Sequence, residues 1–321
     1  MLGIRELPQT RPSANQGIRK HCPNPRIMEQ PRRGNLARQV TPAYDRNNAQ
    51  LYLGDCAEVM AALPAESVDA IVTSPPYAMQ RKSTYGGIPE AEYPAWTVAW
   101  MNEARRVLKP DGSVLLNISP HAKGGQLADY TLRMRLALRE SGWYEVDEIV
   151  WFKRSSPPTG SPRKPRRSWE SVHWFAKHGQ PYGNPRANGK PTVPRTGKAN
   201  PWMLGRTAAR NGWDHGIRGG GTFVEGQIGR CMNVAEINLG RKTEFERANP
   251  HPATYPWRLA EWCGRLITPP GGTILDPFNG SASTGVAALR NGWNYIGIDA
   301  VPEYIEMSGR RLDHEAGKAA A

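Results

Sequence analysis

The chain has 321 residues and a formal net charge of +13, enough to bury the core of one large domain with an insertion or a small second domain. No run of eighteen apolar residues occurs and no apolar signal core opens the chain, which argues against a membrane span and against export. The four cysteines, Cys22, Cys56, Cys231 and Cys263, are far apart and lack C-x-x-C spacing, so no metal site and no disulfide framework are expected, and a reducing cytoplasm is.

In chain order, residues 1–48 mix Arg, Pro, Gln and Asn without a hydrophobic period and read as a disordered basic leader. Leu51–Asp55 reads as a strand ending in Gly-Asp, and residues 56–63 have helical spacing that Pro64 ends. Val68–Val72 is short, apolar and rich in β-branched residues, the pattern of a buried strand. Thr73-Ser74-Pro75-Pro76-Tyr77 stops it, because proline cannot donate to a sheet ladder and restrains the residue before it. A stiff corner results, with a hydroxyl on one side and an aromatic ring on the other. Such a corner suits a flat ring bearing an exocyclic amine.

Residues 78–92 read as a loop over a site, Tyr93–Leu108 as a helix, Lys109–Gly112 as a turn and Ser113–Ile118 as a buried strand. Leu127–Ser141 reads as an amphipathic helix carrying Leu132, Leu136 and Leu138, with Gly142 as its cap. Glu145–Phe152 and Ser171–Phe175 read as strands. From Ser155 to about Glu225 the chain turns rich in Pro, Gly, Asn and Arg, an irregular insertion. Trp257–Ile267 reads as a helix, Thr273–Asp276 as a strand, Gly280–Asn291 as containing a helix, Asn294–Asp299 as a strand and Pro302–Leu312 as a last helix. Strands alternating with helices imply a mostly parallel sheet covered on both faces.

The positive charge is uneven. Residues 151–218 hold 14 Lys and Arg against Glu170 and Asp214, and residues 1–50 hold nine against three acids. Blocks of one sign mark a polyanionic partner or a solvated tail. Nucleic acid is the better reading for 151–218. A tail is at least as good a reading for 1–50.

A second constellation is Asp276-Pro277-Phe278-Asn279-Gly280-Ser281-Ala282-Ser283-Thr284-Gly285, between a strand and a helix. Small residues let the backbone approach a ligand, and a helix N-terminus offers unpaired N–H groups. Asp299 ends the next strand, where nucleotide-binding sheets hold ribose hydroxyls. No Gly-Lys-Ser/Thr and no G-x-G-x-x-G is present, which fits an adenosine cofactor without phosphates.

Asp276–Thr284 resembles the D-P-F-x-G-S-G-T-T loop of amino-methylating DNA methyltransferases, and Thr73–Tyr77 resembles their (D/N/S)-P-P-(Y/F) motif. The catalytic motif comes first, then a variable region, then the cofactor loop, which is the order of the family's beta group. Ala282-Ser283 departs from the usual Gly-Thr. The resemblance implies an α/β, Rossmann-like S-adenosylmethionine-dependent methyltransferase fold with an irregular target-recognition insertion. It divides the chain into a leader (1–48), a catalytic half (49–179), the insertion (180–248), a cofactor-binding half (249–314) and a tail (315–321). It implies S-adenosyl-L-methionine as cofactor, bound by Asp55, Thr73, Asp276, Pro277, Phe278, Gly280, Ser281 and Asp299. Ser74, Pro75, Pro76 and Tyr77 would be catalytic: Ser74 and the Pro75 carbonyl accept from the target amine, and Tyr77 stacks on a flipped base. Double-stranded DNA is the implied partner, with a cognate restriction endonuclease and a homodimer also admitted by the family. Ser in the first motif position favours cytosine N4 over adenine N6. No Pro-Cys pair is present for carbon-5 chemistry.

Other readings stand beside these. Asp55 serves equally well as a helix cap, Asp299 reads as a ribose ligand before a cap, and Ala282-Ser283 leaves room for a DNA-binding protein with a degenerate cofactor site. Arg163, Lys164, Arg166 and Arg167, interrupted by Pro165 and followed by Trp169, suit the DNA backbone better than a plain solvated loop. Trp151 and Lys153 are candidates for the border of the base pocket, Phe152 reads as core, and Glu170 and His173 read as structural.

Overall fold

The computed structural model describes residues 40–80, 87–156, 162–191, 228–239, 247 and 255–319, all within one compact unit spanning residues 38–321. The first element is β1 (Tyr44–Arg46), which pairs antiparallel with β2 (Ala49–Leu53). Asn47 and Asn48 both take left-handed φ, 55° and 57°, the backbone of a two-residue hairpin that Asn tolerates well. The ordered chain therefore starts inside the expected leader, whose residues 1–39 lie outside the described residues. Tyr44 fixes this edge by donating to Asp313 Oδ1 at 2.9 Å.

Next come α1 (Cys56–Ala62), β3 (Val68–Thr73), α2 (Tyr93–Val107) and β4 (Leu108–Ile118). The expected turn at Lys109–Gly112 is instead a bulge within β4: Val68 faces Leu108, but Ala70 already faces Ser113. Lys109 closes it with an ion pair to Asp69 at 2.8 Å, and Asp69 also accepts from the Thr273 amide at 2.8 Å. A small hairpin of β5 (Ala122–Lys123) and β6 (Gln126–Leu127) precedes α3 (Tyr130–Glu140). The helix expected from Leu127 starts later because Leu127 is in that hairpin. Its apolar phase also differs. Tyr130, Met134 and Leu138 are buried one turn apart, whereas Leu132 and Leu136 are exposed on the opposite side.

The chain continues through β7 (Tyr144–Phe152), β8 (Trp169–Ala176), β9 (Val234–Glu236), α4 (Trp257–Ile267), β10 (Thr273–Asp276), α5 (Ser283–Asn291), β11 (Asn294–Asp299) and α6 (Pro302–Ala319). Nine strands form one sheet in the order β1-β2-β11-β10-β3-β4-β8-β7-β9. The five from β2 to β4 run parallel, and β8 and β7 follow antiparallel. β9 comes from the span expected to be an irregular insertion, yet it pairs parallel with β7.

Two apolar layers clamp the sheet. One packs α1, α2 and α3 through Trp100, Met101, Tyr93 and Met134, and the other packs α4, α5 and α6 through Leu259, Cys263, Ala287 and Leu312. β3 and β10 are neighbours, with Ile274 opposite Ala70, but the chain leaves them in opposite directions, toward β4 and toward β11. This is a topological switch point, where open α/β sheets leave a crevice at the strands' C-terminal ends. Among the described residues no helix is long and apolar enough to cross a membrane, and no cluster of His, Cys, Asp and Glu could hold a metal.

Ala282, the N-cap of α5, has φ 57° and is fully buried. Left-handed backbone costs an L-residue roughly 1–2 kcal/mol. A buried methyl offsets about 0.8 kcal/mol, and the stiffer unfolded chain offsets about 0.4–1 more. These terms nearly cancel. Ala282→Gly is therefore expected to change the unfolding free energy by less than about 1 kcal/mol in urea titrations; a larger loss would show that methyl packing outweighs the strain.

Candidate active site

The corner leaves the C-terminal end of β3 at the switch point. Pro75 is buried, and Ser74, Pro76 and Tyr77 are half-buried. Its back is pinned by Tyr93 of α2, whose hydroxyl donates to the Pro76 carbonyl at 2.9 Å. Its front is pinned by Tyr77, whose hydroxyl donates to Glu170 Oε2 at 2.9 Å. Burial first, and the Glu170 carboxylate second, hold the Tyr77 phenol well above its usual pKa, so it remains a donor at neutral pH.

A cavity of about 610 Å³ opens beside the corner. Ser74, Pro75, Pro76 and Tyr77 line it, together with Asp55, Pro277, Phe278, Gly280, Ser281 and Asp299. Residues some two hundred positions apart thus share one chamber, because β3 and β10 are adjacent. Phe278 is propped by Trp100, edge-on at 5.2 Å, and by Trp96 at 5.6 Å. Asp55 accepts from the Ala57 and Glu58 amides at 2.9 and 3.2 Å, so it caps α1 and lines the cavity at once.

Thr73 and Asp276 are not on the cavity wall but behind it. Both are fully buried, and Thr73 Oγ1 donates to Asp276 Oδ1 at 2.6 Å. The same oxygen accepts from the Phe278 amide at 3.1 Å. Asp276 Oδ2 faces the Thr284 and Tyr255 hydroxyls at 2.8 and 3.1 Å. Those two hydroxyls carry one proton each and share them among Asp276, each other and the Val72 carbonyl. Burial raises the Asp276 pKa, and these four donors oppose the rise. One carboxylate therefore ties the end of β3, the end of β10, α5 and the segment before α4.

The basic run stands apart from the cavity. Arg163, Lys164, Arg166 and Arg167 are all exposed, on the loop before β8. Lys164 reaches the Gly125 carbonyl at 2.6 Å, Arg166 the Ser156 carbonyl at 3.3 Å, and Arg167 the Pro120 carbonyl and Ser119 Oγ. The loop is thus braced against the segment that follows β4.

A family profile described as DNA methylase matches residues 68–310. The chain belongs to this DNA methylase family. Among curated relatives, Type II methyltransferase M.PvuII of Proteus hauseri is 29% identical over 289 residues, covering 84% of this chain and 85% of its own. M.ScaI of Streptomyces caespitosus is 26% identical, covering 86% and 84%. Among solved structures, the cytosine-N4-specific PvuII DNA methyltransferase superposes with a TM-score of 0.64 at 24% identity, covering 87% of this chain and 95% of its own. A DNA modification methylase from Thermus thermophilus, solved with S-adenosyl-L-methionine, gives 0.52 at 23%, covering 83% and 95%. The fold is therefore that of these DNA methyltransferases.

In this methylase the α/β sheet also delivers residues that the sequence did not single out as a group. β7 ends and β8 begins at the same edge as the corner, which brings Trp151, Lys153 and Glu170 to the cavity with Asn117 of β4. Glu170, expected to be structural, is thus a wall residue. Lys153 forms an ion pair with it and lies 3.9 Å from the Trp151 ring centroid. Tyr255 and Trp96 also line the chamber. Only the Trp-x-Lys ending of a strand hinted at this group. His173, by contrast, is buried beside Glu145 and Phe175 away from the cavity, and burial lowers its pKa to about 4.

Asp299 lines the cavity and accepts from the Gly280 amide at 2.8 Å and the Val301 amide at 3.0 Å, just before α6, so it ties the two loops at the wall and does not cap that helix. Burial, more than the nearby Asp276 charge, raises its pKa to about 6. The folded chain therefore binds this proton more tightly than the unfolded chain. That favours folding at low pH, a contribution lost between roughly pH 4 and 6. Hydrogen bonds from ribose hydroxyls, were the cofactor's ribose held here, would favour the opposite, ionised form. S-Adenosylmethionine affinity, measured by calorimetry, is expected to fall as pH drops from 7 through 6 to 5, and Asp299→Asn is expected to flatten that profile.

Proposed function

We propose that this methylase transfers a methyl group from S-adenosyl-L-methionine to the N4 amine of cytosine in double-stranded DNA. The observation that carries the reading is the single cavity joining Ser74–Tyr77 to Pro277–Ser281 and Asp299. The wall fits the cofactor: Phe278 offers a propped aromatic face, Asp299 an acceptor for ribose, Asp55 an acceptor near the adenine, and Gly280 and Ser281 a close backbone approach. Thr73 and Asp276 act from behind by fixing that loop. The relatives' Type II designation supports a restriction-modification setting.

When bound, the cofactor supplies an electrophilic methyl on its sulfonium sulfur. The protein's own groups then raise the reactivity of the amine and aim it. Ser74 Oγ and the Pro75 carbonyl accept hydrogen bonds from the two amine N–H groups and draw the nitrogen lone pair out of conjugation with the ring. The Tyr77 face holds the flipped base flat. The new N–C bond forms as the S–C bond breaks, and the amine's surplus proton passes to solvent. Positioning and directed hydrogen bonds account for most of the catalysis in such a site.

Cytosine is favoured by Ser74 at the first motif position and by the relative whose structure is described as cytosine-N4-specific. Nucleoside analysis of DNA methylated by the protein tests this directly: N4-methylcytosine is expected, and N6-methyladenine would reassign the base. Ser74→Ala should lower transfer by about 100-fold or more, on the scale of a lost directed hydrogen bond, while cofactor affinity stays within about twofold. Transfer at the wild-type rate would remove Ser74 from catalysis.

Residues 180–248 are assigned the reading of DNA sequence, and Arg163–Arg167 contacts to the DNA backbone. Replacing Arg166 and Arg167 by Gln is expected to weaken DNA binding and to reduce the slope of log affinity against log salt by up to about two. An unchanged slope would exclude both from the interface.

A further inference from the structure

The cavity holds one charged cluster that the proposed reaction does not use: Glu170 with Lys153, beside Tyr77 and Asn117. Both side chains are largely withdrawn from solvent, 14% exposed for Lys153 and 22% for Glu170. A buried ion pair is costly to desolvate and is weak evidence for stability, so its place at the catalytic corner calls for another explanation.

The hydrogen bonds supply it. Glu170 has two oxygens with different tasks. Oε1 is held by the Lys153 ammonium, which is itself seated against the Trp151 ring. Oε2 accepts the Tyr77 hydroxyl at 2.9 Å and has Asn117 Nδ2 at 3.5 Å. Tyr77 has one proton to donate, and its phenol is kept protonated by burial. The ring hangs from the corner backbone at one end and from Glu170 at the other. A ring tethered at both ends cannot tilt or slide without breaking a charge-assisted hydrogen bond.

We propose that Glu170 is a positioning residue. It fixes the Tyr77 ring, through its hydroxyl, in the one orientation that lets the target base stack with its amine at Ser74. Lys153 fixes Glu170 in turn. This rests on the amine-methylating reading above.

The role separates from a merely structural one in a double-mutant cycle. Tyr77→Phe removes one oxygen and keeps the ring. Glu170→Leu keeps much of the volume and offers the Tyr77 hydroxyl neither acceptor nor donor. Single-turnover methyl transfer is measured at saturating cofactor, on a duplex carrying the site mapped from wild-type-methylated DNA. Each single variant is expected to lose roughly tenfold, on the scale of a small misplacement. The double variant is expected to lose no more than Tyr77→Phe alone, rather than the product, since Glu170 acts only through the hydroxyl that Tyr77→Phe already removes. DNA affinity in the absence of cofactor is expected to stay within about twofold for all three, because the tether acts on geometry and not on the phosphate contacts that dominate affinity.

Losses that multiply, or either single variant at the wild-type rate, would overturn the inference. A broad loss of DNA affinity would overturn it as well. Should Glu170→Leu fail to fold, Glu170→Asp, one methylene too short to reach the Tyr77 hydroxyl, replaces it in the cycle with the same expectations and the same overturning results. The wild type separates the two levels. If it places no methyl on any DNA amine, the proposed function itself falls; if it does and the cycle is multiplicative, only the role of Glu170 falls.

Discussion

A buried carboxylate with four donors around it decides the shape of this site. Asp276 is wholly removed from water, which by itself disfavours its charge, and it is held by Thr73, Thr284, Tyr255 and the Phe278 amide. Each donor arrives from a different part of the chain. Removing the acceptor would leave those donors buried and unsatisfied, at roughly 1–3 kcal/mol each where they cannot reorient. The corner after β3 and the loop after β10 are therefore locked in register by one side chain. Neither could shift toward its ligand without the other.

Above that lock, the sheet does the rest of the positioning. The parallel strands place Gly54, Ser74, Asn117, Pro277 and Asp299 along one edge, and the reversal of strand order between β3 and β10 opens the chamber there. The helical layers keep the strand ends rigid. Trp100 and Tyr93 of α2 reach the two motifs from one side, Trp100 against Phe278 and Tyr93 against the Pro76 carbonyl.

Much of this was legible in the residues. Val68–Val72 followed by two prolines fixes a strand and its end, and the spacing of Thr273–Asp276, the small residues and Asp299 fixes a strand-loop-helix-strand unit, because each depends on local chemistry. What local chemistry does not carry was missed. Leu132 and Leu136 are as apolar as Leu138, and only packing against α2 shows which face of α3 is inward. β9 is three residues long and exists because β7 offers an open edge. Glu170 looked structural because its partners, Tyr77 and Lys153, lie 93 and 17 residues away. Thr73 and Asp276 were expected on the cavity wall, yet their short side chains meet each other behind it.

The way the segments around residues 181–191 and 228–237 are attached has a consequence for what substitution there can change. Residues 181–191 and 228–237 are tied to each other by Cys231 N to Pro185 O and to the body by main-chain bonds, Asn184 N to Leu266 O, Val150 N to Asn233 O and Ile237 N to Phe152 O, at 2.7–3.0 Å, alongside side-chain bonds such as Asn188 Nδ2 to the Trp262 carbonyl at 2.7 Å. Peptide groups are the same whatever side chain they carry. Substitutions within these two segments therefore leave those main-chain bonds in place, and Leu239, just past the second segment, lines the cavity. Side chains there can change while the strand ends that frame the cavity keep the same main-chain ties.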